Sequence, residues 1–595
     1  TVLKDAATIA LYGSRGANGV VMVTTKKGQK NKSSLDFKVQ FGVNQNGVPA
    51  YNTVNAGEYY ELMWEAYKNN LIYGATPVPA DAAAQIASGL MPRNAAGAQV
   101  YNGRTYQDIV QFLGNYNAFN VPKEQLISVD GKLNPNAKLL YADDLDWLDQ
   151  SSRRGKRNED SLNYSSGNDK STLYTSLNYL NEEGWGLRSS LERFALRVNV
   201  SSQLTKWLKA GLNVNGNRNN YNNAASGGAI NDPFVWSRGI APIYPVHVHN
   251  PSTGEYIYDE LGNKVFDLGN MVAEYGLSRP YNSGRHALAE TLWNRNRTGR
   301  DFVGARAFFE FTILPWLTFH TSLNTDIQND RIESYENTKV GDGAPAGRYS
   351  QDWERRMSYT FNQYFTAEKS FGQHNANLVV GHENFDYNYD DVGGMRTGEG
   401  FSEFYIFSNF TDIVRLSSSF SQRAMESYFS RLSYDFGNKY FISASLRSDG
   451  DSRMPSAHRW SSFWSLGAAW RLDRESWFSS DLFDLLKLRA SYGRLGNSDV
   501  GTYPFQPGYD ISNNAAAPGV YLSSLGSPDL KWEGQNPLDL GIDYSMLRGK
   551  ITGTIDWYDR RSTGLLFSVP QPYHNGGTRS STNGGSFVIQ KNVGD

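Results

Sequence analysis

The feature that most constrains this chain is a period-two alternation of apolar and polar residues that recurs along its length. In SLDFKVQFGV, Leu35, Phe37, Val39, Phe41 and Val43 share one face, while Asp36, Lys38, Gln40 and Gly42 share the other. RFALRVNV repeats it, with Phe194, Leu196, Val198 and Val200 opposite Arg193, Arg197 and Asn199. Successive side chains of a strand point to opposite faces, so these segments read as β-strands with one apolar and one polar surface. The pattern gives fifteen candidate strands, later ones including 428–436, 440–446, 486–492, 538–544 and 551–557.

The connections alternate as well. Short ones lie at 167–169, 203–207, 314–315, 371–374, 437–438 and 546–550; long ones run roughly over 44–157, 220–298, 330–353, 387–418 and 496–534. All-β, antiparallel, with short turns at one end and long loops at the other, is the plan of a transmembrane β-barrel. Tyr434, Phe436, Tyr440, Phe441, Trp207 and Trp316 edge the short turns and predict an aromatic girdle at headgroup level. The polar face carries Arg193, Arg197, Lys209, Lys487, Arg489, Asp539 and Asp543. Facing lipid at mid-depth, an Arg or Lys costs about 2–4 kcal/mol, so this face is predicted to line a watery lumen.

Composition narrows the function classes. The 595 residues carry a net charge of −2, which favours neither nucleic acid nor an acidic partner. With no cysteine, a disulfide scaffold, a Cys-ligated zinc site and a thiol nucleophile are excluded. There is no apolar run of about 18 residues, hence no predicted transmembrane helix, a test to which barrel strands are invisible.

Residues 10–28, ALYGSRGANGVVMVTTKKG, place glycines where a phosphate cradle might have them. A P-loop requires Lys-Ser/Thr after its last glycine, and a dinucleotide fingerprint opens a helix; here VVMV follows. The segment reads instead as strand (IALY), glycine turn, strand (VVMVTT), with Asn18–Gly19 as the turn dipeptide.

Other clusters are weaker. His247 and His249 form H-x-H with no carboxylate near in sequence. The acidic run 143–149 lacks the Gly and Glu of an EF-hand loop and reads as a solvated loop. SDGDSR at 448–453 reads as an Asx-stabilised turn. In 55–70, Tyr59, Leu62, Met63, Ala66 and Tyr67 recur at helical spacing behind an Asn55 N-cap with Glu58 completing a capping box. The loop 231–298 is rich in rigid aromatics suited to stacking on sugar rings or gripping peptides. Trp236, Tyr244, Tyr256 and Tyr258 are its candidate substrate contacts, with Asp232 and Arg238 as hydrogen-bonding partners. No catalytic constellation stands out, so an enzyme on a β scaffold is disfavoured and no cofactor or metal is expected.

The segment KDAATIALYGSRGANGVVMVTTKKG closely resembles the end of the plug domain in SusC/RagA-type TonB-dependent outer-membrane transporters of the Bacteroidota. RLSYDFGNKYFISASLRSDGDSR with WSSFWSLGAAWRL (431–472), LLKLRASYGRLGNSD (485–499) and PDLKWE with LGIDYSMLRGKITGTIDWYDRRSTGLL (from 528) resemble further blocks of that family. The resemblance implies that residues 1–30 are the C-terminal end of a plug and 31–595 a TonB-dependent receptor β-barrel. A 22-stranded family barrel then leaves about seven strands, most of the plug and the TonB box outside this sequence. Tyr12, Gly13, Arg15, Gly16, Asn18 and Gly19 fall on the plug motif. The resemblance also implies import of nutrient oligomers, glycan oligosaccharides first and oligopeptides second. It implies a SusD-like lipoprotein lid, energy from the TonB–ExbB–ExbD complex, and pairing of transporter–lid units. A lidless siderophore or cobalamin receptor is the competing subclass.

Overall fold

The computed structural model describes residues 2–3, 9–16, 19–48, 51–224, 230–515, 517–572 and 588–594. One antiparallel sheet of fifteen strands dominates it, each strand paired with the next in sequence. In chain order these are β1 (Ser33–Asn44), β2 (Gly155–Gly167), β3 (Ser171–Glu183), β4 (Ser190–Gln203), β5 (Leu208–Asn222), β6 (Arg295–Leu314), β7 (Leu317–Glu336) and β8 (Arg348–Phe371). Then come β9 (His374–Glu399), β10 (Phe410–Phe436), β11 (Tyr440–Asp451), β12 (Trp460–Arg471), β13 (Phe483–Asn497), β14 (Glu533–Met546) and β15 (Ile551–Thr563). The up-and-down order and the strand number match the sequence expectation.

The turns follow local chemistry. Gly437 and Asn438 sit at φ 61° and 52°, the two positive values a tight primed turn needs, and they join β10 to β11. Rings gather at this end: Trp207 on Phe311 (6.1 Å), Phe319 on Phe365 (4.9 Å), His374 on Phe436 (4.9 Å) and Tyr440 on Trp470 (6.4 Å). Trp207, Phe436 and Tyr440 thus join a girdle of touching aromatics, whereas Phe441, also expected there, turns to the inner face opposite Asp435 with Lys487 Nζ 5.3 Å from its ring. Above it Leu432, Ile442, Leu466, Leu488 and Leu540 stay exposed on the outer face. Such a continuous apolar exterior is out of place in water and fits a lipid-facing band.

The expected loops 330–353 and 387–418 are mostly strand. β9 and β10 run for 26 and 27 residues, whereas crossing a bilayer takes about 9–11. Above the membrane neither face of these strands must be apolar, so the amphipathic signal fades while the backbone ladder continues.

The longest connections, 45–154 and 223–294, are folded together. Helices α1 (Ala56–Tyr73), α2 (Ala80–Ala87), α3 (Pro233–Gly239) and α4 (Ala287–Trp293) contribute to one shared hydrophobic core. Asn55 caps α1 with the expected box: Asn55 Oδ1 accepts from the Glu58 amide at 3.0 Å, and Glu58 Oε2 from the Asn55 amide at 2.9 Å. The buried face differs from the sequence reading. Tyr60, Trp64, Tyr67 and Leu71 point inward, while Leu62 is 54% exposed. Burying the larger rings removes more apolar area, and their polar ends find acceptors: Tyr60 Oη bonds the Tyr116 carbonyl, and Trp64 Nε1 bonds Ser88 Oγ at 2.9 Å.

Candidate functional site

The N-terminal segment lies against the inner face of the sheet. Ala10–Gly16 forms two short 3-10 turns joined by a kink at Gly13, so the expected strand at IALY does not form. Val20–Val21 pairs with Val2–Leu3, and residues 22–29 are not in a strand. β-branched residues favour strands only where a ladder receives them. Asn18 and the Arg15 side chain lie outside the described residues.

Gly13 explains why the motif carries glycine. Its φ is +59°, and a Cβ there would sit 2.2 Å from Asp449 Oδ2 and 2.4 Å from Arg447 Nε. Both the backbone and the space therefore require glycine. The Ser14 amide donates to Asp449 Oδ2 at 3.1 Å. Arg447 Nε donates to Asp449 Oδ1 at 2.6 Å, and its terminal nitrogen reaches Glu383 Oε1 at 3.0 Å. Ile9 and Leu495, both fully buried, pack with Val20. Tyr12 and Val20 face Tyr364, Phe429 and Glu383 across a cavity of about 690 Å³. Further along, the Lys26 carbonyl accepts from Asn199 Nδ2 at 2.8 Å. At Gly28 a Cβ would lie 2.6 Å from the Ser166 and Leu173 carbonyl oxygens.

The Asx turn expected over SDGDSR forms only at its end, where Asp451 Oδ1 accepts from the Arg453 amide at 3.0 Å; residues 448–451 are strand. Asp449 and Asp451 close β11 and are fully buried. Asp451 accepts from Arg423 (2.8 Å), Arg453 (3.2 Å) and Ser498 Oγ (2.8 Å). Contacts across strands, invisible to local sequence, take these acids into the wall.

The loop candidates separate by burial. Trp236 and Tyr244 are 3% and 0% exposed and belong to the cap core. Trp236 packs on Trp147 (5.6 Å), and Tyr244 packs edge-on to Tyr116 (4.8 Å). Core packing therefore withdraws both rings from a ligand. Asp232 caps α3, accepting from the Phe234 amide at 2.9 Å. Tyr256 donates to Asp143 Oδ2 at 3.0 Å and lies under Lys264 Nζ at 3.4 Å. Tyr258 and Arg238 remain exposed.

The acidic run and the H-x-H meet in the cap. Asp144, fully buried rather than solvated, holds His247 Nδ1 at 2.7 Å through Oδ1 and His249 Nε2 at 2.9 Å through Oδ2. The missing carboxylate thus comes from the other long loop. Burial pushes the Asp144 carboxyl up; hydrogen bonds from both imidazoles and the His247 amide outweigh it and leave the group below its usual range. Asp146 caps the Leu148 and Asp149 amides.

Sequence reasoning missed the upper inner wall of β6–β10. There Arg300 forks onto Asp330 (2.8 and 3.0 Å), Arg356 reaches Asp330 at 2.9 Å and pairs with Glu354, and Arg415 reaches Asp352 at 2.7 Å. The period-two run 385–391, which straddles the start of the expected loop 387–418, is the signal that points to it.

Comparison with known proteins fits this geometry. Residues 248–595 match the family TonB dependent receptor-like, beta-barrel. TonB-dependent receptor P3 of Formosa agariphila is 27% identical over 97% of this chain and 50% of its own length. TonB-dependent receptor SusC of Bacteroides thetaiotaomicron is 27% identical over 96% of this chain and 51% of its own. The chain thus spans about half the length of the curated relatives it matches. Among solved structures, the RagAB peptide transporter shares the fold at a TM-score of 0.75 and 23% identity, over 100% of this chain and 60% of that one. The family match, the fifteen-strand barrel wall and the N-terminal segment seated inside it agree: the chain belongs to the TonB-dependent receptor-like β-barrel family of the outer membrane and is of the SusC/RagA type.

Proposed function

We propose that the protein imports nutrient oligomers across the outer membrane by TonB-dependent active transport, glycan oligosaccharides being the first cargo. The observation that carries this is the seat of the N-terminal segment, held on the wall by Ser14–Asp449 and by a glycine that only close docking explains. A segment bonded this way, rather than fused into the sheet, is one that a pull from the periplasm can displace. Residues 1–30 act as the end of the plug and 31–595 as the barrel. A SusD-like lipoprotein closes the extracellular face, TonB–ExbB–ExbD supplies energy, and transporter–lid pairs associate two by two. No bond of the cargo is made or broken. Tyr256, Tyr258 and Arg238 stay as candidate contacts at the mouth.

Oligopeptide import is the second reading, since a peptide transporter shares this fold. The test is uptake of fluorescent oligosaccharides and peptides by cells carrying the full-length gene and its neighbouring lid gene. Deleting tonB should abolish uptake while the barrel remains in the membrane. Uptake that persists without TonB overturns the reading.

A further inference from the structure

Glu383 of β9 faces the N-terminal segment from the inner wall. Side chains two apart share a face, so Phe385, Tyr387 and Tyr389 continue that inner column upward, about 6.7 Å apart. Asp386, Asn388 and Asp390 take the outer face. The aromatic column therefore stands above the seat of the N-terminal segment, on the stretch of β9 that outruns the membrane. Among the described residues, Tyr387 and Tyr389 belong to none of the buried cores. Among the described residues no partner hydrogen-bonds the Tyr387 or Tyr389 hydroxyl, and both rings stay half-exposed.

The neighbouring strands complete the surface. Tyr389 lies opposite Ser421 of β10 and Arg356 of β8, whose guanidinium stands 5.3 Å from its ring. Ser417, Ser419 and Ser421 share the inner face of β10, with Ser419 bonded to Asp391. The charged flank is matched internally: Arg300 and Arg356 with Asp330 and Glu354, and Arg415 with Asp352.

We propose that Tyr387 and Tyr389, with the serine column beside them, form a stacking track for a neutral, polyhydroxylated chain, that is, an uncharged oligosaccharide. Ring faces receive the C–H faces of sugars, while serine and phenol hydroxyls exchange hydrogen bonds with sugar hydroxyls. An anionic cargo would need an unmatched cation to hold it, and Arg300, Arg356, Arg415 and Arg423 are each matched by a carboxylate, while Asp391, bonded to Ser419, adds an acceptor for sugar hydroxyls. Several weak, equivalent contacts also suit a chain that must be released. This deepens the import reading and rests on it.

The experiment uses cells carrying the full-length gene and lid gene. Probes are hydrolysates of starch, xylan, mannan and laminarin, and a tryptic casein digest. Tyr387→Ala with Tyr389→Ala should raise the half-saturating concentration of the transported oligosaccharides about three- to tenfold per ring at unchanged surface level. Tyr→Phe at both sites should keep most of the affinity. Should the alanine pair fail to reach the surface, Ser421→Trp, which fills the column beside Tyr389, replaces it and should block oligosaccharide uptake. Unchanged oligosaccharide uptake overturns the track. Loss of peptide uptake in place of sugar uptake overturns the cargo class. A wild-type protein that moves neither probe fails the import reading itself, and the track falls with it.

Discussion

The Ser14 amide hydrogen-bonds the Asp449 carboxylate at 3.1 Å across 435 residues of sequence, tying the N-terminal segment to the barrel wall. Asp449→Ala should remove the acceptor of both Ser14 and Arg447, leaving Arg447 its Glu383 partner. The expected cost is about 2–3 kcal/mol, read as a lower temperature of heat-modified gel mobility. Gly13→Val, clashing with the same pair at a positive φ, should unseat the segment and sensitise cells to vancomycin. Unaltered resistance would show that the segment is held elsewhere.

Asp144 staples the two longest loops through His247 and His249. Its carboxyl is depressed in the fold, so its contribution is fully present above the unfolded value of 3.8 and is lost as pH falls through the lower folded value. Protease resistance of 45–154 and 223–294 should hold at pH 5 and fall only below 3.8. Asp144→Asn should loosen both loops already at neutral pH, by about 1–3 kcal/mol, and flatten this acid dependence.

Trp236 and Tyr244 are core residues of the cap. Each changed to Ala should cost about 3–5 kcal/mol of cap stability, visible as faster hydrogen exchange in α1 and α3. Tyr258→Ala, at an exposed site, should leave exchange unchanged and lower cargo affinity; unchanged affinity would remove Tyr258 from the cargo contacts.

Leu432 and Arg431 are sequence neighbours on opposite faces of β10. Leu432→Arg should destabilise the barrel by about 2–4 kcal/mol, the cost of a cation in the lipid mid-plane, although position 431 already carries one. Urea unfolding of the full-length protein in bilayers gives the difference directly. Equal tolerance at both positions would refute the assignment of faces.

Much of this was legible before any coordinates. Leu35 to Val43 and Phe194 to Val200 show the two faces because lipid on one side and water on the other demand opposite chemistries. Asn55 and Glu58 reveal the start of α1 because a capping box is local. The burial of Tyr60 in place of Leu62 was not legible, since helical spacing alone leaves neighbouring faces nearly equivalent and tertiary contact chooses between them. β9 and β10 beyond the membrane carry only a weak strand signature in sequence because the amphipathic signal ends where lipid ends.

The sequence by itself determined the strand count, the two faces of the wall and the family resemblance, all of which rest on short-range periodicity and motif. Only the tertiary structure decided that Asp449 receives Ser14, that Asp144 joins His247 and His249, and that Trp236 and Tyr244 are core. Each of these links residues about a hundred or more positions from their partners. Burial and hydrogen bonding are properties of neighbours in space, and a barrel with folded loops brings together residues that no local pattern relates.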